Sequence, residues 1–375
     1  MIAPAQYDAK LDTELIPKKG AYDAVWLPWR TFHRWVAADW IEPMDALLAD
    51  ANLVDQEQLD LEGFFPPAVS SLQVGGKQYA LPSYNDGAIF AYRSDLYQAA
   101  GLGSAPDTWQ QVRENAAKLH SKEVAGYAMR ASKSGGCAGW MVPMLLRAWG
   151  GGVVKDYPND WRGNLTSPES VAALEWYVDI MTNYTFDGGL TACWMEIVPA
   201  YTQGKVAQVP EAWVLMGQFL EPEKSVVYDK TAFAIPPRGP ATRIASGAVH
   251  GLGIPANSPE KELGYKFIEW VLSEHVQRRN VVENKSTTIT RPKIMAEAAY
   301  VESFEYGGKQ FVQTVQESLD KYVNALFRPM SPKWREVEEQ LGIAISSVLT
   351  GQQELMPAIE KANKEITRIH QEAGY

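Results

Sequence analysis

Short apolar runs alternate with amphipathic segments along most of the chain. The run Tyr22–Pro28 has the pattern of a buried strand that ends in a turn. Five further runs have the same character: Gln78–Pro82, Ala88–Tyr92, Lys205–Val209, Ala232–Pro236 and the Gly-rich His250–Pro255. Because strand and helix patterns alternate along the sequence, the pattern predicts an α/β fold.

Several predicted helices begin with capping signals. Thr108, three residues before Gln111, forms a capping-box pattern, and Ser167 and Ser258 each precede a proline that suits the first helical position. The C-terminal region predicts helices that end in the amphipathic segment Glu354–Ile369. The helix after Ser258 carries an apolar stripe at helical spacing, which we interpret as core: Leu263, Phe267, Trp270 and Val271.

Size and charge narrow the class of protein. A chain of 375 residues is too long for one ordinary core, so two domains are expected. Its 46% hydrophobic and 21% charged residues are typical of a globular protein, and no apolar stretch approaches the roughly 20 residues of a membrane helix. A net charge of −10 without a basic cluster disfavours a nucleic-acid partner.

Several motifs of enzymes and metal proteins are absent from the sequence. There is no phosphate-binding GxxxxGK[ST], dinucleotide-binding GxGxxG, nucleophile GxSxG or zinc-binding HExxH, and the 5 histidines have no metal-ligand spacing. We therefore expect no cofactor and no metal site. The 2 cysteines, Cys137 and Cys193, leave two alternatives open, one disulfide or two buried thiols.

The chain contains 13 tryptophans, which is a further signal. Aromatic faces stack on the C–H faces of sugar rings, and nearby carboxylates, amides and guanidinium groups bind hydroxyls, so this composition suits a carbohydrate cleft. Core packing explains the same composition equally well. Five of the tryptophans lie near turn signals: Trp26, Trp29, Trp140, Trp194 and Trp213.

Five segments in a fixed order carry a resemblance to a known family. They are AYDAVWLPWRTFHRWVAADWIEPMDALL (21–48), GGKQYALPSYNDGAIFAYRSDLYQAAGL (75–102), PDTWQQVRENAAKL (106–119), AYTQGKVAQVPEAW (200–213) and SGAVHGLGIPANSPEKELGYKFIEWVLSEHVQ (246–277). Each is a loose motif, but with the C-terminal helix region around Gly351 the similarity extends over nearly the whole chain. The sequence resembles the extracellular solute-binding proteins of ABC importers, in the group similar to maltose-binding protein.

The resemblance implies a two-lobed periplasmic-binding-protein-like fold with a ligand cleft between the lobes. The N-terminal lobe would take residues 1–93 plus 232–287, and the C-terminal lobe 94–231 plus 288–375. Hinges are expected near 92–94, 235–237 and 288–292, where ligand would shift the population toward a closed form that a membrane permease recognises. Family members open with an export signal, a strand and a long helix, which are not recognised here. A monomer in the periplasm or outside the cell is expected, and a lipid anchor is compatible with this.

Candidate ligand contacts lie in loops after the predicted strands, where open α/β sheets bind ligands. Asp86 and Glu211 would accept hydrogen bonds from vicinal hydroxyls, Arg291 would donate, and Trp140 and Trp213 would stack on the ligand. The full set of candidates is Trp29, Arg30, Tyr84, Asn85, Asp86, Trp140, Glu211, Trp213, His250, Gly251 and Arg291.

Three other ligand or reaction classes stay open at this point. A glycoside hydrolase needs only two carboxylates, for which Asp86 and Glu211 are candidates. The acids and aromatics suit a polyamine, whereas Arg30 and Arg291 suit an anion. A neutral sugar or polyol conflicts with neither set of charges, so the sequence favours a binding protein for such a solute.

Overall fold

The computed structural model describes residues 4–304 and 306–375, and its contacts divide the chain into two compact units. Unit 1 takes the chain up to Asp86 together with 248–303 and 330–332. Unit 2 takes 87–247, 304–329 and 333–375. Residues 1–3, which the predicted N-terminal lobe includes, lie outside the described residues.

The elements are numbered in chain order. The first segment contains α1 (Pro4–Leu15), β1 (Val25–Leu27), α2 (Trp29–Ala37), α3 (Asp45–Leu48), α4 (Gln56–Leu59), α5 (Pro66–Ser70), β2 (Gln73–Val74), β3 (Lys77–Gln78) and β4 (Leu81–Arg93). Then come α6 (Ser94–Ala99), α7 (Trp109–Leu119), α8 (Ala138–Trp149), β5 (Val154–Asp156), β6 (Asp160–Gly163), α9 (Pro168–Tyr184), α10 (Trp194–Thr202), β7 (Gln208–Ala212), α11 (Trp213–Met216) and β8 (Thr231–Ala234). The last are β9 (Gly247–Gly253), α12 (Lys261–Leu272), α13 (Glu274–Asn284), α14 (Pro292–Met295), α15 (Ala298–Ser303), α16 (Gly308–Lys321), α17 (Trp334–Leu349) and α18 (Leu355–Glu372).

Unit 1 is built around the antiparallel pair β1 and β9, in which Trp26 lies opposite Leu252. Helix α1, an element that the sequence pattern did not predict, packs on one face of this unit through Leu11 and Leu15. Its partners in that core include Phe32 of α2. A second core cluster of this unit lies under α12 and includes Ile254, Tyr265 and Ile268.

Helix α12 corrects two of the predictions. It begins at Lys261 rather than after Ser258, whose hydroxyl donates to Asp23 Oδ1 at 2.7 Å and accepts the Glu260 N–H at 3.1 Å. The predicted core stripe is largely exposed: Leu263 by 63%, Phe267 by 49% and Trp270 by 54%.

The opposite face of α12 is buried. A Cβ on Gly264 would lie 2.1 Å from the Asp23 carbonyl oxygen, so at this position the helix packs directly on the backbone of Asp23 and only a residue without a side chain fits. Helical spacing predicted the helix, but it chose the wrong face as core, because Tyr265, Ile268 and Leu272 form the buried face instead. Val271 of the predicted stripe is half-buried and packs at the edge of that core.

In unit 2 the second half of β4 pairs antiparallel with β7 and β8. Ile89 lies opposite Glu211, and Phe90 lies opposite Ala234. The predicted capping box of α7 is confirmed, because the Thr108 hydroxyl and the Gln111 side chain each accept a backbone N–H of the other end. Helix α9 also begins as predicted, with Ser167 as its N-cap.

The contact division differs from the predicted lobe bounds. Segment 232–247 falls in unit 2, because β8 pairs with the part of β4 that lies there. Segment 288–303 falls in unit 1, where Arg291 is tied to α4 and α12. In the described part of the chain, none of the helices has the length and apolarity needed to cross a membrane.

Candidate functional site

Three aromatic rings form a cluster in unit 1. His250 stacks on Trp26 with ring centroids 5.0 Å apart, and Tyr84 meets His250 edge-on at 4.9 Å. The Trp29 backbone N–H donates to His250 Nδ1 at 3.0 Å, which fixes the imidazole at the start of α2. The structure thus brings the predicted residues Tyr84, His250 and Trp29 together. The site list from the sequence missed Trp26, although its position near a turn was a signal.

Arg30 of the candidate set is held by an acid that sequence reasoning did not single out. Its Nε and Nη2 donate to the two carboxylate oxygens of Asp8 at 2.8 and 2.6 Å, and Asp8 is only 3% exposed. Tyr7 donates from its hydroxyl to the Trp26 carbonyl at 2.7 Å, and burial raises the pKa of Tyr7 to about 12. Helix α1 therefore supplies both residues that brace this side of the aromatic cluster.

Asn85 and Asp86 lie inside a strand, not in a loop. The sequence pattern predicted two strands separated by a loop at residues 83–87, but β4 continues from Leu81 to Arg93. Both side chains are buried, with 4% and 9% exposure. Asn85 and Asp86 favour a turn in the sequence pattern, because Asn and Asp are depleted in strands.

Gly251 faces the core of unit 1. A Cβ on this residue would lie 2.5 Å from the Ala80 Cβ and 2.8 Å from Leu72 Cδ1. The glycine is therefore required by the packing of β9 against these side chains. This packing accounts for the glycine, and the expected ligand contact at Gly251 stays a prediction.

Arg291 is a buried structural residue. It is 1% exposed, and its Nη2 donates to the carbonyl oxygens of Leu59 and Leu272 at 2.6 and 3.1 Å. Its Nη1 donates to the carbonyl and carboxylate of Asp60, and the guanidinium lies 3.8 Å from the Phe64 ring centroid. These bonds occupy both terminal nitrogens and give Arg291 a structural role, while its predicted role as a hydrogen-bond donor to ligand stays a prediction.

The main polar feature of unit 2 is a buried ion pair. Strand β7 places Glu211 at 0% exposure, and Arg130 Nε donates to its Oε2 at 3.0 Å while Arg130 Nη2 contacts its Oε1. The Ala212 N–H also donates to Oε1 at 2.7 Å. Arg130 is 6% exposed, and the sequence gave no motif that would have marked it.

Arg130 also contacts the predicted residue Trp140 and the loop before α8. Its guanidinium lies 4.5 Å from the Trp140 ring centroid, in cation–π geometry. Its Nη1 donates to the Gly136 carbonyl at 2.6 Å, in the loop before α8. Trp140 stands in the first turn of α8, so one guanidinium connects strand β7, the loop before α8 and the tryptophan.

A disulfide ties the same loop to α10. Cys137 and Cys193 are bonded, with their Cα atoms 5.4 Å apart. Each cysteine is the residue immediately before a helix, α8 or α10. Of the two alternatives left open by the sequence, the structure therefore has the disulfide.

Trp213 packs beneath β4 in unit 2. It begins α11, is 2% exposed, and covers Gly87 so closely that a Cβ there would lie 2.4 Å from the indole. Gly87 is thus a packing requirement of the tryptophan, which sequence reasoning did not detect. Among the described residues, no group of three or more His, Cys, Asp or Glu side chains could hold a metal ion.

Comparison with known proteins places this arrangement in a family. The model for bacterial extracellular solute-binding proteins matches residues 4–278. The mannitol-binding protein of Pseudomonas aeruginosa is 27% identical, over 98% of this chain and 84% of its own.

Solved structures share the fold. A solute-binding protein from Agrobacterium vitis S4 with bound D-mannitol has a TM-score of 0.84 at 25% identity, covering 98% of this chain and 89% of its own. One from Agrobacterium radiobacter K84 in complex with ribitol has a TM-score of 0.88 at 24% identity, covering 98% and 90%. The two-lobed binding-protein fold predicted from the sequence is confirmed. The chain belongs to the bacterial extracellular solute-binding proteins.

Proposed function

We propose that this chain captures a neutral polyol or monosaccharide and delivers it to the membrane permease of an ABC importer. The family assignment supports the transport role. The relative named for mannitol binding, and the similar structure with bound D-mannitol, support the polyol class. The protein would act as a monomer in the periplasm or outside the cell.

The observation that carries the proposal is the Arg130–Glu211 pair with Trp140 stacked on it. The bonds within and around the pair leave N–H hydrogens on Arg130 Nη1 and Nη2 and a lone pair on Glu211 Oε2, which suit the vicinal hydroxyls of a polyol. The nearby indole offers an apolar face for C–H groups. Since the Glu211 charge is already matched by Arg130, the group has no net charge.

The same balance holds in unit 1, where Asp8 neutralises Arg30. Neither a polyamine nor a carboxylate ligand gains an unmatched counter-charge from these two pairs. A neutral solute avoids that problem. These two matched ion pairs therefore favour a neutral sugar or polyol as ligand over the cationic and anionic alternatives.

We assign the candidate contacts in two sets. In unit 2 they are Trp140, Glu211 with Arg130, and Trp213. In unit 1 they are Trp26, Trp29, Arg30, Tyr84, Asn85, Asp86 and His250. Gly251 and Arg291 are left out, because both are used in packing.

We also propose that the protein has no glycosidase activity. The Glu211 carboxylate receives hydrogen bonds from Arg130 and from the Ala212 amide, so its oxygens are held as a structural anion. A hydrolase needs a carboxyl group that exchanges a proton or attacks the sugar. Incubation with aryl glycosides and product analysis test this, and turnover that disappears in Glu211→Gln would refute it.

Isothermal titration of the purified protein tests the proposed function. The panel is D-mannitol, D-sorbitol, ribitol, D-glucose, maltose, spermidine and glutamate. We expect saturable one-to-one binding of at least one neutral polyol or sugar, which Trp140→Ala weakens. The matched control is Trp270→Ala, which removes a half-exposed indole that is not among the candidate contacts. Binding of spermidine or glutamate alone, or of none of the panel by a cooperatively folding protein, would contradict the proposal.

A further inference from the structure

The peptide unit of Gly136 is held from both sides in unit 2. Its carbonyl accepts from Arg130 Nη1 at 2.6 Å. Its N–H donates to Glu338 Oε1 at 2.8 Å, across a sequence separation of 202 residues. Glu338 lies in α17 and is 3% exposed. A buried carboxylate from the C-terminal region therefore fixes the loop that leads into α8 and Trp140.

Helix α17 approaches α8 very closely at this point. A Cβ on Gly139 would lie 2.2 Å from Glu338 Cγ and 2.5 Å from its Oε1, so only glycine fits there. The carboxylate also stands beside the first turn of α8, where the aligned peptide N–H groups favour a negative charge. Both effects hold Glu338 in one position.

The held loop leads directly to the tryptophan. The Trp140 N–H donates to the Cys137 carbonyl at 3.1 Å, so the indole starts from a backbone that the loop places. Its ring packs on Arg130, the other residue that holds Gly136. A shift of the Gly136 peptide would therefore move both the indole and the guanidinium that pairs with Glu211.

We propose that Glu338 is a positioning residue for ligand binding, which acts by holding the Gly136 peptide and through it Trp140 and Arg130. The inference rests on the proposed function, since Glu338 would act through Arg130 and Trp140, which are candidate ligand contacts there. Removal of a hydrogen bond to a charged acceptor typically changes an equilibrium by roughly 10- to 100-fold. We expect Glu338→Ala to weaken binding of D-mannitol within that range.

Four variants separate positioning from packing. Glu338→Gln keeps a carbonyl acceptor and is expected to bind within roughly fivefold of the parent, because a neutral acceptor still holds the N–H. Gly139→Ala displaces the carboxylate and should behave like Glu338→Ala. The double variant Gly139→Ala/Glu338→Ala fills part of the vacated space with a methyl group. Its melting temperature should recover while its weak binding persists. Glu336→Gln changes an exposed acid on the same helix and serves as the control.

Two measurements decide the outcome. Amide hydrogen exchange of residues 133–141 in the ligand-free protein is expected to speed up in Glu338→Ala and in the double variant, but not in Glu336→Gln. D-mannitol affinity by titration calorimetry is expected to follow the exchange rate and not the melting temperature. Recovery of affinity together with melting temperature in the double variant would show a packing role and overturn the proposal.

The exchange measurement also separates this proposal from the proposed function. If the parent protein binds no D-mannitol, the exchange result still decides whether Glu338 holds the loop. Unchanged exchange in Glu338→Ala overturns the positioning role whatever the ligand is. Faster exchange with unaltered D-mannitol affinity overturns it as well.

Discussion

Removal of Arg130 is expected to destabilise unit 2 far more than removal of an exposed arginine. Glu211 is 0% exposed, and its carboxylate receives two bonds from the guanidinium. Arg130→Met leaves this charge buried without its counter-ion. Breaking a buried pair by removing one partner costs about 3–5 kcal/mol.

The double variant Arg130→Met/Glu211→Gln separates the ion pair from the packing around it. With both charges gone, no isolated ion is buried, so we expect this variant to be more stable than Arg130→Met alone. A difference of about 2 kcal/mol or more between the two variants would mark the coupling. Arg162→Met is the control, because the Arg162–Asp160 pair has an arginine side chain that is 60% exposed. The control should change stability by about 1 kcal/mol or less.

Urea denaturation followed by circular dichroism measures these differences, with the slope of each transition compared first. The reasoning fails if Arg130→Met unfolds at the same urea concentration as the parent. It also fails if the double variant is less stable than Arg130→Met, because the pair would then not be the reason for the loss.

Three further predictions concern other parts of the chain. Burial lowers the pKa of His370, although the nearby Glu336 carboxylate opposes this shift, so the unfolded chain binds the proton more readily than the folded chain. The free energy of unfolding should therefore fall as the pH drops through about 6.5. An equal fall in His370→Phe would contradict this. Reduction of the Cys137–Cys193 bond, with a separation of 56 residues, should lower the free energy of unfolding by up to about 4 kcal/mol. Thiol labelling of the unreduced, denatured protein would contradict that bond. Trp270→Ser should change the melting temperature very little, whereas a large fall would restore the core interpretation of α12.

The sequence predicted local features best where a short pattern has one physical solution. The Thr108 capping box and the Ser167 N-cap were confirmed, because each depends on groups only a few residues apart. The apolar stripe of α12 was assigned to the wrong face of the helix. The choice of face depends on the packing of Gly264 on the Asp23 backbone, and Asp23 lies 241 positions earlier in the chain. Long-range contacts of this kind leave no local pattern.

The residues of the candidate site also differ in whether a local sequence pattern marks them. Glu211, Trp140 and His250 are candidates from the sequence because strand ends and aromatic residues mark them locally. Arg130, Asp8 and Glu338 were missed, since a charged residue within an unremarkable segment has no signal until its partner is known. Arg291 is the opposite case: the family resemblance suggests a ligand contact, whereas its Nη2 donates to the backbone carbonyls of Leu59 and Leu272.

The missed residues share one physical property, which explains why they matter for the site. Each pairs a buried charge with a residue that the sequence did mark: Asp8 with Arg30, Arg130 with Glu211, and Glu338 with the loop before Trp140. Buried charges tolerate little displacement, because every lost hydrogen bond leaves an expensive unpaired group. A binding site that must distinguish one arrangement of hydroxyls from another needs that rigidity. We therefore expect binding specificity in this protein to depend on Asp8, Arg130 and Glu338 as much as on the aromatic residues that the sequence pattern marks.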